Sequence, residues 1–327
     1  MSKKLYFLIA AALFLLNCPI ASAQFFRNLD EWFRKKQAKQ VYDTTYIYRP
    51  QERWLVRTQS LFSGESSTLH AELSDRGIIS LQAGSGLMFK QTIGGGYRGL
   101  VLDVGYVPGK LQKNADFEIK AYGNILGFAL GGSFAYGYKG QSNIGGTVIN
   151  LNPGDIIGAS LYANAYVALN GRRFSMPAPT CQSYRQLRSA GSPLLTLKAQ
   201  IYGMLTNQNT YPDADINGAI TSFAGIGAGY GYNWVPGENW LIHLSLTETI
   251  GFLNDSRLLL KSNSEHYDWQ SPIFVTKGNL AVLYYYRKWY FGIHANAEDL
   301  LFWSRSDIDF SLDKIMSRAN VTVGVRF

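Results

Sequence analysis

Residues 239–252 read Asn239-Trp240-Leu241-Ile242-His243-Leu244-Ser245-Leu246-Thr247-Glu248-Thr249-Ile250-Gly251-Phe252. Trp240, Ile242, Leu244, Leu246, Ile250 and Phe252 fall at even spacing, with His243, Ser245, Thr247 and Thr249 between them. A period of two places successive side chains on opposite faces of a strand, so one face is apolar and the other polar. Strands of soluble sheets run to about 5–6 residues. This run is much longer, and it suits a tilted strand that crosses a bilayer in about 9–11 residues. Glu248 breaks the apolar face, as Asp299 does in a later run, but both lie near the far end of their strands, where the cost of a charge fades.

The same alternation recurs at 155–169, 193–205, 289–299 and 318–327. Composition agrees with it: 46% of the 327 residues are apolar, 14% are aromatic and 33 are glycine, which excludes disorder. Glycine and tyrosine serve helices poorly, whereas aromatics fit pleated surfaces and glycine fits bulges and close approaches. Past the N-terminus no stretch nears 18 uninterrupted apolar residues, so no transmembrane helix is expected. The expected fold is all-β, a transmembrane antiparallel barrel of about twelve strands (range about 10–14), preceded by a short amphipathic helix.

Met1–Ala23 has Lys3 and Lys4, an apolar run over Leu5–Leu16 and then Ala21-Ser22-Ala23. That run is too short for a hydrocarbon core of about 30 Å, so residues 1–23 read as a secretory signal peptide. The rival reading is a lipoprotein signal at Cys18, which Asn17 and Pro19 disfavour. The formal charge of +8 falls to +6 on cleavage, and four of those six charges lie in 24–58, which includes Arg34, Lys35, Lys36 and Arg57. A basic total confined to that segment is no argument for nucleic acid. Phe25, Phe26, Leu29, Trp32 and Phe33 recur at helical spacing, so 24–52 is expected to be a periplasmic segment with an amphipathic helix over 25–39. That helix is read as a stub against the barrel end, an interfacial anchor or a lumen plug. The barrel is assigned to 53–327.

Phe327 follows Val325, Val323 and Val321 at every second position. These four residues form the expected signal for the barrel assembly machinery. If Phe327 lies on the periplasmic side, the turns at 287–288, 235–238, 122–124 and 91–95 are periplasmic and short. The outer loops at 300–317, 253–276, 206–220 and 139–154 are then long, which is the expected asymmetry. Trp234, Trp240, Tyr286 and Trp289 beside the short turns suit an aromatic girdle. Gly94-Gly95-Gly96 reads as a tight turn rather than a phosphate loop. One connection, 170–192, is long yet falls on the periplasmic side.

That segment contains Phe174, Ser175, Gln182, Ser183, Gln186, Ser189, Ala190, Gly191 and Ser192. It resembles the signature of a family of barrel proteins, the domain of unknown function 4421. Tyr42-Asp43-Thr44-Thr45-Tyr46-Ile47 and Gly229-Tyr230-Gly231-Tyr232-Asn233-Trp234 are similar to its other recurring stretches, while Pro179, Thr180 and Cys181 depart from its more apolar run. The resemblance implies the fold and compartment, and it brings no catalytic residues.

Alternation points Lys90, Asp103, Glu118, Lys120, Lys198, His243, His294, Glu298, Arg318 and Arg326 into the lumen, with Asp116 among them. This nearly balanced set suits a narrow interior crossed by ion pairs, or a small unselective pore. His243 and Ser245 share a face and resemble the His-x-Ser pair of outer-membrane lipid A deacylases. Glu248 lies on the opposite face, so the pair reads first as lumen packing and only remotely as a lipid hydrolase. The dispersed histidines and single cysteine past the signal give no metal-ligand spacing, and no cofactor is expected. The expected setting is the outer membrane of a Gram-negative bacterium, among its lipid and lipopolysaccharide. Two readings stay open: a channel for small solutes, or a structural barrel that binds a periplasmic or surface protein. No enzyme and no nucleic-acid partner are expected.

Overall fold

A computed structural model describes residues 41–327 apart from 74–76, 109–113, 145, 207–215, 261–263, 268–271 and 306–308. The chain divides after Val41, and the second unit is Tyr42–Phe327. The expected signal peptide and the helix over 25–39 lie outside the described residues, save that Asn28, Glu31 and Lys35 are helical. Residues 42–52, grouped by sequence with the N-terminal segment, belong to the second unit.

That unit opens with β1 (Ile47–Tyr48), β2 (Trp54–Leu73), β3 (Gly77–Gly84), β4 (Met88–Tyr97), β5 (Leu100–Tyr106), β6 (Asn114–Tyr122) and β7 (Leu126–Ala135). Next come β8 (Lys139–Ile144), β9 (Thr147–Leu151), β10 (Ile156–Ala168), a helical turn α1 (Pro177–Thr180), β11 (Arg185–Gln186) and β12 (Ala190–Thr206). The remainder is β13 (Ile216–Trp234), β14 (Trp240–Leu260), β15 (Ser264–Tyr267), β16 (Ile273–Tyr286), β17 (Trp289–Arg305) and β18 (Asp309–Arg326). Twelve strands form an antiparallel ring in the order β2-β4-β5-β6-β7-β10-β12-β13-β14-β16-β17-β18, and β18 pairs back onto β2. Among the described residues no helix is long and apolar enough to cross a membrane.

The outer face carries the apolar residues and the interior the polar ones. Leu195, Leu197 and Ile201 of β12 are exposed while Lys198 and Gln200 are buried, and β14 repeats this with Leu244 and Leu246 against His243 and Ser245. Val321 and Phe327 are exposed on the outside, alternating with buried Thr322 and Arg326. Trp54 against Tyr97 and Trp240 against Tyr284, with ring centroids 4.7 and 4.9 Å apart, sit beside the short-turn end. Trp234, Tyr286 and Trp289 are exposed at the same level.

The short turns fall as expected after Tyr286, Trp234 and Tyr122, but not at 91–95. Gly94-Gly95-Gly96 lies inside β4, paired with Asp103, Leu102 and Val101 of β5. The turn is Arg98-Gly99, whose φ values of 49° and 96° are those a two-residue type I′ hairpin needs. The glycine at 94 answers a different need: a Cβ there would stand 2.1 Å from Asp103 Oδ1 and 2.9 Å from Arg57 Cγ. The outer connections also differ from expectation, because much of them is strand. β17 and β18 pair up to Arg305 and Asp309, and the 139–154 stretch forms β8 and β9, which extend the sheet from β3 on the far part of β2.

Candidate functional site

The connection from β10 to β12 turns into the barrel at the short-turn end. Two prolines build α1, since the first helical positions need no amide hydrogen, and Cys181 ends it by donating its N–H to the Pro177 carbonyl. Gln182 then adopts φ 53°, a conformation that costs a non-glycine residue on the order of 1–3 kcal/mol. Its groups are held on three sides. Nε2 donates to Pro179 O (2.9 Å), Oε1 accepts from Arg57 Nη1 (2.7 Å), and the carbonyl accepts from Arg326 Nε (3.1 Å). β11 pairs with β1, which fastens Tyr42–Tyr48 to the same segment. Phe174, Ser175, Ala178, Cys181 and Gln182 are fully buried, so residues 170–189 are a plug.

A directional hydrogen-bond chain joins the plug to the lumen. The Ser175 amide can only donate, and it donates to Gln186 Oε1 (2.9 Å). Asn233 Nδ2 must therefore be the donor to the same oxygen and to Ser175 O, both at 2.9 Å. Asn233 Oδ1 is left to accept from His243 Nδ1–H at 2.8 Å, which makes Nε2 the acceptor for the Ser245 hydroxyl at 3.1 Å. Ser245 Oγ in turn accepts from Asn279 Nδ2 at 3.1 Å. Asn233 stands where sequence parity sought an acid, and the order has the polarity of a base–nucleophile pair. His243 and Ser245 are 1% and 2% exposed and both have their partners in it, while the Ser175 hydroxyl beside it has none among the described residues.

Above the plug lie the ion pairs. Arg57 binds Asp103, with Nε 2.8 Å from Oδ1, and the Lys90–Asp116 and Lys120–Glu118 contacts are 2.7 and 2.6 Å. Lys198 on β12 reaches Glu298 on β17. At the far end Glu65 on β2 meets Tyr138 OH (2.8 Å), Tyr202 OH of β12 (3.1 Å) and Lys314 of β18 (3.1 Å). Because β2 and β12 lie opposite one another in the ring, this clasp crosses the lumen. Between plug and clasp lies a cavity of about 260 Å³, lined by Met176, Pro179 and Thr180 of the plug, by Lys314 of the clasp and by many charged and polar side chains of the wall.

Of the sequence-predicted lumen residues, Asp103, Glu118, Lys120, Lys198, His243, His294, Glu298 and Arg318 line this cavity. Lys90 is buried on Asp116, and Arg326 belongs to the plug contact. His294 and Glu298 do not pair, since Glu298 holds Lys198 and His294 Nε2 has no partner among the described residues. Phe174, Ser175, Gln182, Gln186, Ala190 and Ser192 are buried in the plug and its root, with Ser183, Ser189 and Gly191 half-buried beside them. Ser183 Oγ lies 3.1 Å from Cys181 Sγ and Ser189 Oγ accepts from the Val235 amide. Sequence reasoning missed Arg57, Glu65, Tyr202, Asn233, Lys277 and Lys314. Arg57 sits at the edge of the basic N-terminal stretch, Glu65 falls between two alternating segments of β2, and Lys314 lies in a stretch that reads as loop. Among the described residues no group of three or more His, Cys, Asp or Glu could hold a metal ion.

The model of the family described as domain of unknown function (DUF4421) matches residues 41–327, and the chain belongs to that family. No curated protein matches the chain. Solved structures that align with it include the outer membrane protease OmpT of Escherichia coli, with 11% identity, 85% of this chain, 98% of that chain and a TM-score of 0.37. An outer membrane channel of Pseudomonas putida F1 aligns with 11% identity, 88% and 100% coverage and a TM-score of 0.34. The toluene transporter TodX of P. putida aligns with 7% identity, 85% and 91% coverage and a TM-score of 0.29.

Proposed function

We propose that this member of the DUF4421 family is an outer-membrane barrel of a Gram-negative bacterium that acts as a gated conduit for small polar solutes. Residues 170–189 serve as its gate. The supporting observation is a cavity of about 260 Å³ above the plug, lined by Met176, Pro179 and Thr180 of that segment and by charged side chains that include Lys120, Lys277, Arg318 and Glu298. Apolar residues in place of buried ion pairs are often as stable or more so, so walls this charged suit a lumen that meets polar solutes. The apolar outer face suits lipid, and the tryptophans at the short-turn end suit the periplasmic interface with lipopolysaccharide at the other. Val321, Val323, Val325 and Phe327 on the outside of β18 suit recognition by the barrel assembly machinery.

Planar-bilayer conductance tests the gate, on the purified protein, on the same protein lacking residues 24–41 and on Gln182→Ala. Rare small openings are expected for the first, and more frequent ones for Gln182→Ala, which removes the shorter of the two Arg57 contacts to the plug and leaves only the one to Thr180 O (3.4 Å). Silence from all three, with folding verified by heat-dependent gel mobility, overturns the conduit.

A further inference from the structure

The cavity between plug and clasp has a surplus of positive charge with a definite location. Five lumen carboxylates each have one nearest cation: Asp103 has Arg57, Asp116 has Lys90, Glu118 has Lys120, Glu298 has Lys198 and Glu65 has Lys314. Two cations lining the cavity remain. Lys277 Nζ is 3.9 Å from the second oxygen of Glu298, whose first oxygen already holds Lys198. Arg318 has no carboxylate within 4.0 Å among the described residues. The same cavity is lined by residues with polar atoms that have no partner among the described residues: His294 Nε2 and Asn320 Oδ1 on the wall of Arg318, and Gln200 Oε1 on β12 across the lumen. Asn296 and Asn320 flank Arg318 through the β17–β18 ladder, where Asn296 is opposite Arg318 and His294 opposite Asn320.

A guanidinium is a planar fork of five donors that suits an oxyanion by two parallel bonds, and it cannot shed its charge. Arg318 and Lys277 are half-buried cations with no carboxylate to themselves, Arg318 standing only in the longer-range field of Asp116, Glu118 and Glu298. Buried polar atoms without hydrogen bonds are costly. One ligand answers both needs. We propose that this cavity is a binding site for a small oxyanion-bearing solute, a carboxylate or a phosphate monoester, whose anionic end lies between Arg318 and Lys277. Its hydroxyl or amide groups meet His294, Asn320 and Gln200. A volume of about 260 Å³, just below the range of about 300–1,000 Å³ usual for ligand pockets, limits it to a small metabolite. The assignment rests on the gated-conduit reading and names the class of solute that the conduit admits.

Isothermal titration of the purified full barrel in detergent tests it with inorganic phosphate, propionate, neutral methyl glucoside and cationic ethanolamine as probes. Saturable binding is expected for phosphate or propionate, and the stronger of the two identifies the head group. Arg318→Gln is expected to weaken it at least tenfold, Lys277→Gln several-fold, and the double variant to abolish it. Arg318→Lys retains part of the binding, which covers the case in which Arg318→Gln fails to fold. Arg287→Gln, at the short-turn rim, leaves it unchanged. Equal binding of the neutral or cationic probe, or anion binding that survives in the folded double variant, overturns the site. A bilayer silent for the wild type and every variant, with anion binding intact, removes the conduit and leaves the site standing. Conductance without anion binding does the reverse.

Discussion

Arg57 and Asp103 meet inside the barrel, with Nε 2.8 Å from Oδ1, and Gly94 on the strand between theirs contributes no side chain. The pair occupies the volume that a Cβ at position 94 would fill. Arg57 is 2% exposed and Asp103 5%, so neither charge can turn to water.

Gly94→Ala is therefore expected to destabilise the barrel by about 1–3 kcal/mol through overpacking. Gly95→Ala one residue on, where an added Cβ meets nothing within 4 Å, is expected to be neutral. Guanidinium unfolding in lipid vesicles measures both, and equal effects would show that backbone freedom, not the ion pair, explains the glycines.

Asp103→Asn strands a buried guanidinium and is expected to cost about 3–5 kcal/mol, while Arg57→Met with Asp103→Leu recovers most of it. The double variant still loses the Arg57 contact to Gln182, so its plug opens more readily than its stability suggests. The comparison pairs unfolding midpoints with conductance.

Asn233→Asp removes the two donors that face Ser175 O and Gln186 Oε1 and sets acceptors against them. A loss of at least about 1–3 kcal/mol is expected from this near-isosteric change. A melting temperature equal to wild type would mean that the donor order from Ser175 to Ser245 is wrong.

Cys181 is fully buried in the plug, so a maleimide should leave it unmodified in the folded barrel. Gln186 accepts from Ser175 and Asn233 and donates to the carbonyls of Tyr46, Arg173 and Arg188. Gln186→Ala is expected to speed labelling at Cys181 at least tenfold by local opening, scored on that peptide by mass spectrometry. An unchanged rate would leave the plug anchored elsewhere.

Asp43 accepts from the N–H and hydroxyl of Thr45, with Arg173 nearby, and these contacts hold its carboxyl below the usual value of 3.8. A depressed carboxyl contributes stability above its unfolded pKa and loses it as pH falls through the folded one. Amide protection at Tyr46 and Ile47 should then stay flat from pH 7 to pH 5 and fall only below about pH 4. A loss near pH 6 would implicate another group.

The barrel wall was legible because a lipid-facing strand advertises itself on alternate residues: Leu195, Leu197 and Ile201 need no tertiary knowledge to be placed. Inward residues of such strands follow from the same parity, which is why Asp103, Lys198 and Glu298 were found. The plug hid for a physical reason. Its residues are buried from all sides by strands far away in the chain, so no local period marks them. Lys314 was misplaced for the opposite reason, since β17 and β18 continue past the apolar band as a polar hairpin that reads as loop. Asn233 ends an aromatic-rich strand, and only the geometry of His243 reveals its part.

The position of Gln182 bears on how the barrel is put together. Its side chain is gripped by Arg57 of β2 and its carbonyl by Arg326 of β18, and these are the first and last strands of the ring. Trp54 and Phe327 exchange backbone hydrogen bonds at the same seam. The plug belongs to the middle of the chain, between β10 and β12, so it is distant in sequence from both strands of the seam. With Gln182 held against Arg57 its carbonyl is fixed, and Arg326 on β18 reaches it in the register that pairs Arg326 with Leu55. The segment that shuts the lumen thus doubles as a gauge for the final zip, setting which residue of the last strand meets which residue of the first.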